Sequence, residues 1–100
     1  MSKMDNQIIS EIHTLLQGGL EASERVDLSS LLWTIDAKHR IVPEVSELNE
    51  ALALLSRYQI LRDSDGVGIL RSELVSSEQI EKNDIKTALN KYESIINDNS

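Results

Sequence analysis

Cysteine and phenylalanine are absent from this 100-residue sequence, which has one proline and four glycines. Without cysteine there is no disulfide framework, no thiolate metal site and no cysteine nucleophile. No apolar run approaches the ~18 residues of a membrane-spanning helix, and the opening residues, MSKMDN, lack the pattern of a signal peptide. We therefore expect a cytoplasmic protein with no membrane partner.

Aromatic residues make up 3% of the chain and are limited to Trp33, Tyr58 and Tyr92. Proteins that bind single-stranded nucleic acids stack bases on groups of aromatic rings, and three rings in separate segments cannot form such a platform. A ring-lined pocket for a flat cofactor is not expected for the same reason. We expect an aliphatic core and no cofactor.

Acidic residues outnumber basic ones, and the formal net charge is −7. Hydrophobic residues are 40% and charged residues 27% of the chain, which is typical of a folded globular protein. The length predicts a single domain over residues 1–100. An acidic balance opposes nucleic-acid binding, which depends on cations that face phosphate.

Apolar residues recur at helical spacing in four segments, which predicts four helices. They cover residues 4–17, 28–39, 44–58 and about 77–97. We expect Gly18 and Gly19 to end the first helix, Asp27 to cap the second, and Ser76 or Ser77 to cap the last. Because Ile80 is out of phase with the residues after it, a break near Asn83 is an alternative.

A hairpin is predicted between the third and fourth helices. Short apolar runs at 60–62 and 67–71 flank the sequence Asp63-Ser64-Asp65-Gly66, and an Asp-Gly pair favours a tight turn. Val26 either forms a short strand or packs against the start of the second helix. A core over about 4–72 would then be followed by the C-terminal helix.

The order of these elements resembles a winged helix-turn-helix domain. The resemblance rests on residues 27–70, and within them on PEVSELN at 43–49, Leu52, Leu55 and the sequence YQIL at 58–61. Gln59 occupies a position where glycine is usual. Small acidic bacterial winged-helix proteins of unknown function are similar. The resemblance implies a mainly α fold with a small β-hairpin (α+β), in which a three-helix core carries a wing and a C-terminal helix.

That resemblance implies no single function, because winged helices bind DNA, bind proteins or only dimerise. A DNA-binding member would place its third helix in the major groove. Here the third predicted helix carries three glutamates against one arginine, and the hairpin has two arginines against two aspartates. The one positive cluster, Lys38-His39-Arg40, fits a helix C-terminus better than a phosphate clamp. Nucleic-acid binding is therefore not expected.

No catalytic or metal site is predicted. His13 and His39 lie on different helices without ligand spacing, and no catalytic motif is present. The sequence from Asp63 to Gly68 suggests a calcium loop, but its fifth and twelfth positions are Val67 and Leu74. We interpret it as a hairpin turn.

Residues outside the predicted core suggest a surface for a partner. The candidates are Trp33, Ala37, Ser46, Asn49, Glu50, Ala53 and Arg57. Trp33 is either covered by a second layer such as the C-terminal helix, or exposed as an anchor for a partner. Leu54 lies at the edge of the apolar face of the third predicted helix. Ile95 and Ile96 are consecutive residues of the last helix, so their side chains cannot point the same way. A homodimer through the C-terminal helix is one hypothesis.

The preferred prediction is a non-catalytic protein–protein interaction module. It could act as an adaptor, or as an immunity- or antitoxin-type inhibitor whose acidic charge steers it to a basic partner. The alternative is a dimeric DNA-binding transcriptional regulator of the winged-helix class. The partner, either another copy or a different protein, is not identified by any motif.

Overall fold

The computed structural model describes residues 6–98, which form four helices and a three-stranded antiparallel sheet. The elements are α1 (Asn6–Glu21), β1 (Val26–Asp27), α2 (Leu28–His39), α3 (Val45–Ala53), β2 (Tyr58–Asp63), β3 (Gly66–Arg71) and α4 (Lys82–Asp98). The strand order is β1-β3-β2. The prediction of a mixed α+β fold is confirmed.

One aliphatic cluster joins the helices to the sheet. Ile12, Leu28, Leu32 and Ile35 are fully buried, and Ile69 supplies the contact from the central strand at 1% exposure. Because water is excluded from these branched side chains, their burial is the main stabilising contribution. Among the described residues, Tyr58 is the only aromatic side chain in this cluster.

The first helix is longer than predicted, since α1 continues through both glycines to Glu21. The left-handed residue that ends it is Ser23, with φ of 61°. The Glu24 N–H donates to the Gly19 carbonyl at 3.1 Å and the Ser23 N–H to the Leu20 carbonyl at 3.0 Å. This is the hydrogen-bond pattern of a Schellman motif. The prediction that glycine ends α1 was wrong.

The two glycines of α1 have different surroundings. A Cβ atom at Gly19 would overlap the Cγ2 atom of Val26, whereas a Cβ at Gly18 would meet nothing within 4 Å. Gly19 therefore allows β1 to lie against α1, and Gly18 has no packing role.

Alanine at these two positions should have opposite effects on stability. We expect Gly18→Ala to raise the free energy of unfolding by about 0.5–1 kcal/mol, because alanine is the better helix former. Gly19→Ala should lower it by about 1–2 kcal/mol, since the stiff Val26 side chain must shift. Urea unfolding of both variants tests this. Equal stabilisation by both would show that Val26 does not require the glycine.

β1 and the start of α2 differ in part from expectation. Val26 pairs with Ile69 of β3, so the strand alternative is confirmed. Asp27 stands at the N-cap position of α2, but its side chain makes no capping hydrogen bond. Its carboxylate instead accepts a hydrogen bond from Arg25 Nε at 2.8 Å. The capping role predicted for Asp27 was wrong because a neighbouring cation binds that carboxylate.

The third helix is shorter than the predicted 44–58, because α3 ends at Ala53. The Leu55 N–H bonds to the Leu52 carbonyl at 2.8 Å in a tighter turn, and Tyr58 begins β2. The spacing from Leu55 to Tyr58 fits a helix, but Tyr58 and Ile60 also alternate as buried strand residues. Sheet pairing decides between these two patterns.

The predicted hairpin is confirmed, with strands longer than the apolar runs indicated. Asp63 pairs with Gly66 across a two-residue turn, and Gly66 has a φ of 115° that favours glycine. The Asp63 carboxylate accepts the Asp65 N–H at 2.9 Å and fixes the turn. The geometry is that of a hairpin turn, as the Asp-Gly pair predicts.

The segment between β3 and α4 is not helical, so the predicted helix start near Ser76 was wrong. Residues 75–81 have no regular secondary structure, and α4 begins at Lys82, close to the alternative break at Asn83. Instead, the Asp84 carboxylate in the first turn of α4 accepts the Glu81 N–H at 2.8 Å, as the third helical residue does in a capping box. The predicted homodimer residues Ile95 and Ile96 have side chains outside the described part of the structure.

Candidate interaction surface

α2 is the helix that positions the most exposed ring of the protein. Its inner face buries Leu28 and Leu32, while Trp33 points away from that face and is 54% exposed. Ala37, one turn further along the same side, is also exposed. We call Trp33 and Ala37 the α2 outer face. Exposed aliphatic residues, Ile41 and Val42, follow in the connection to α3.

Two contacts join α2 to neighbouring helices, and neither is made by Trp33 or Ala37. The His39 ring lies 2.9 Å from the Glu11 carboxylate of α1. The Tyr92 hydroxyl of α4 donates to the Asp36 carboxylate at 3.2 Å. Burial and this hydrogen bond raise the pKa of Tyr92. α4 thus packs on α2 beside Trp33 without covering it, which favours the exposed alternative for this residue.

The residues predicted on the third helix lie in two different environments. Ser46, Glu50 and Ala53 lie on α3 and are exposed. Arg57 is also exposed, but it follows the end of α3 in the connection to β2. The structure therefore brings three of these side chains onto one helix and places the arginine beyond it.

The Asn49 side chain is hydrogen-bonded to another segment of the protein. Its side-chain amide donates to the Ile80 carbonyl at 2.9 Å, and its side-chain oxygen accepts the Ile80 N–H at 2.7 Å. Both halves of the amide are therefore bonded to the segment that precedes α4. As it stands, this geometry does not present the amide to a partner or to a base edge.

Arg25 holds the hairpin turn to β1 through two aspartates. Its guanidinium lies 2.8 Å from Asp27 and makes bonds of 2.8 and 3.2 Å to the two oxygens of Asp63. The hydrogen bonds from Arg25 lower the pKa of Asp63. Gly68 leaves room for this arginine, because a Cβ atom there would overlap the guanidinium.

Arg62 of the hairpin is paired with a buried carboxylate. Its Nε and a terminal nitrogen donate to the two oxygens of Asp84 at 2.7 and 2.9 Å, and Asp84 is 3% exposed. These hydrogen bonds outweigh burial and lower the pKa of Asp84. Arg62, one of the two arginines of the hairpin, is thus bound within the domain.

The positive cluster at the end of α2 faces a carboxylate. Lys38 Nζ lies 3.3 Å from Glu11, which also contacts His39. The hydrogen bond to His39 and the nearby Lys38 lower the pKa of Glu11. Arg40 is the left-handed C-cap of α2, with φ of 60°. The cluster therefore ends α2 and joins it to α1.

No set of three or more potential ligand side chains within residues 6–98 is arranged to hold a metal ion. Along the same residues, no helix has the length and apolar character needed to cross a bilayer. The ion pairs that join the elements were missed from the sequence, because their members are up to 38 positions apart. The sequence gives no spacing signal for such pairs.

The fold and surface define a small mixed α+β domain with an acidic exterior. Comparison of the chain with protein-family models, curated proteins and solved structures finds no match. The function is therefore inferred from the surface of this domain.

Proposed function

We propose that this protein is a non-catalytic interaction module that binds a protein partner through the α2 outer face. The observation that carries this proposal is the 54% exposure of Trp33. Tryptophan is enriched among the residues that dominate binding energy at interfaces, because it buries a large area with few rotatable bonds. Ala37 beside it leaves room for a partner's side chains to approach the ring.

The arrangement of elements supports a winged-helix-like scaffold for this module. A helix, a short strand, two helices, a hairpin and a further helix follow one another, and β3 lies between β1 and β2. The resemblance to a winged helix implied the same order of helices and hairpin, and the paired strand β1 is an addition to it. On that scaffold, the third helix and the hairpin would form the DNA-binding surface.

Charge supports a protein partner over DNA. Arg25 and Arg62 are neutralised by aspartates within the domain, so fewer cations remain for phosphate. Glu50 is exposed on α3, where it would repel a DNA backbone. An adaptor, or an immunity- or antitoxin-type inhibitor of a basic protein, fits this balance, because the net charge of −7 would steer such an association.

The test is affinity capture from the source cells with wild-type protein, followed by affinity measurement on the recovered partner. We expect Trp33→Glu to weaken binding at least about 30-fold, because the anchor ring is replaced by a charge. Leu74→Glu is the matched control, since Leu74 is 77% exposed on a different part of the surface. It should leave the affinity unchanged.

Two results would contradict the proposal. Equal weakening by both variants would remove the α2 outer face as the binding surface. Micromolar, salt-sensitive binding to random duplex DNA would favour the transcriptional regulator instead. We expect no DNA binding even at low salt.

A further inference from the structure

A groove runs between the start of α3 and the flank of α4. Its volume is about 680 Å³, and its lining includes Val45 of α3 with Ile85 and Leu89 of α4. These three side chains are half-buried and pack against the core. The groove therefore has an apolar floor that is open to solvent.

The α4 side of this groove has charge of opposite sign at its two ends. Lys82 and Lys86 lie towards the start of the helix, Glu93 lies nearer its end, and all three are exposed. Lys86 and Glu93 are separated by one heptad, so they differ by only about 20° around the helix. The helix is thus basic and then acidic along one flank.

We propose that this flank binds a second copy of the chain, with the two α4 helices antiparallel. Lys86 lies three residues before Leu89, and Glu93 lies three residues after Asn90. A two-fold axis between Leu89 and Asn90 therefore places Lys86 opposite Glu93 of the partner subunit, and the reverse pair forms by symmetry. The charge pattern is complementary to itself only in this antiparallel arrangement.

Apolar contacts at the centre fit the same register. Leu89 lies beside the axis and would pack against its counterpart, next to the exposed Asn90 on the other side of the axis. Val45 and Ile85 of each copy would line the outer parts of the contact. Packed helices lie about 8–10 Å apart, a distance that lysine and glutamate side chains can span. The opposite flank of α4 remains bound to α2 through Tyr92 and Asp36.

This inference goes beyond the proposed function, because the groove lining does not include Trp33 or Ala37. The dimer could form whether or not the α2 outer face binds a partner. Trp33→Glu should therefore leave the oligomeric state unchanged, which separates failure of one proposal from failure of the other.

Sedimentation equilibrium of the full chain with charge-reversal variants tests the dimer. We expect the wild-type protein to dimerise within the micromolar range. Lys86→Glu should raise the dimer dissociation constant by about tenfold or more, because two facing pairs become repulsive. Glu93→Lys should do the same. The double variant should return to within about threefold of wild type, since both attractive pairs are restored with reversed sign.

These substitutions change exposed side chains and leave the core intact, so circular dichroism should show unchanged folding. A strictly monomeric wild-type protein at high micromolar concentration would overturn the proposal. So would a dimer that Lys86→Glu does not weaken, or a double variant no better than the single ones. Those last two results would place the contact elsewhere on the molecule.

Discussion

Replacing Asp84 with alanine is expected to lower the free energy of unfolding by about 3 kcal/mol, near the lower end of the range for broken buried ion pairs. Asp84 is 3% exposed, whereas the Arg62 side chain is 43% exposed and can recover part of its hydration. The substitution also removes the acceptor for the Glu81 N–H at the start of α4. Both the hairpin and α4 therefore lose an attachment.

Urea unfolding at several pH values measures this effect. The pKa of Asp84 is lowered in the folded state, so its contribution is present above the ordinary carboxyl pKa and is lost as the pH falls through the folded value. The difference between wild type and Asp84→Ala should therefore shrink in acid. Glu73→Ala, at an exposed position, is the control and should change stability by less than about 0.5 kcal/mol. A difference that stays constant with pH would mean that the carboxylate charge is not what stabilises the fold.

The elements that could be predicted are those specified by local signals. α2 follows from the spacing of Leu28, Leu32 and Ile35, which are all fully buried. The hairpin follows from the Asp65-Gly66 pair, since Gly66, directly after the two-residue turn, adopts the positive φ that glycine favours. In both cases the residues within one short segment determine its conformation.

The boundaries that were mispredicted depend on contacts with distant residues. Gly19 lies inside α1 and leaves room for the Val26 side chain of β1, so its presence marks a close approach and not a helix end. The buried Tyr58 of β2 donates through its hydroxyl to the Glu78 carbonyl. That bond joins the segment before α4 to β2 between residues 20 positions apart, and no local pattern encodes it.

The candidate surface was predictable in part. Helical geometry places Trp33 about 140° from Leu28, so it was expected to lie away from the innermost face. Whether α4 covered the ring could not be derived, because the sequence does not specify where α4 packs. The bond between Tyr92 and Asp36 fixes that position beside the ring.

The ion pairs that arginines form within the domain could not be predicted either. A net charge of −7 indicated an acidic exterior, but the pairing of Arg25 with Asp63 joins residues 38 positions apart. Such pairs leave fewer cations available to phosphate than the composition suggests. The net charge is unchanged, because each pair also occupies a carboxylate.

Replacing Asn49 with alanine is expected to lower the free energy of unfolding by about 2–3 kcal/mol, because two hydrogen bonds are lost and the backbone groups of a buried residue are left without partners. Ile80 is 2% exposed, so water cannot readily replace the amide. Urea unfolding gives the magnitude. Hydrogen exchange at the Ile80 amide gives the location, since that N–H donates to the Asn49 side chain.

Glu50→Ala is the matched control for this substitution, since it changes the adjacent, exposed residue of the same helix. It should change the free energy of unfolding by less than about 0.5 kcal/mol. It should leave hydrogen exchange at the Ile80 amide unchanged. Capture of the partner distinguishes a structural role of Asn49 from a binding role. If Asn49→Ala leaves stability and exchange unchanged but abolishes partner binding, the amide acts at the interface. If it speeds exchange at Ile80 while the folded fraction still binds the partner, Asn49 holds the segment before α4 in place and the interaction depends on Trp33.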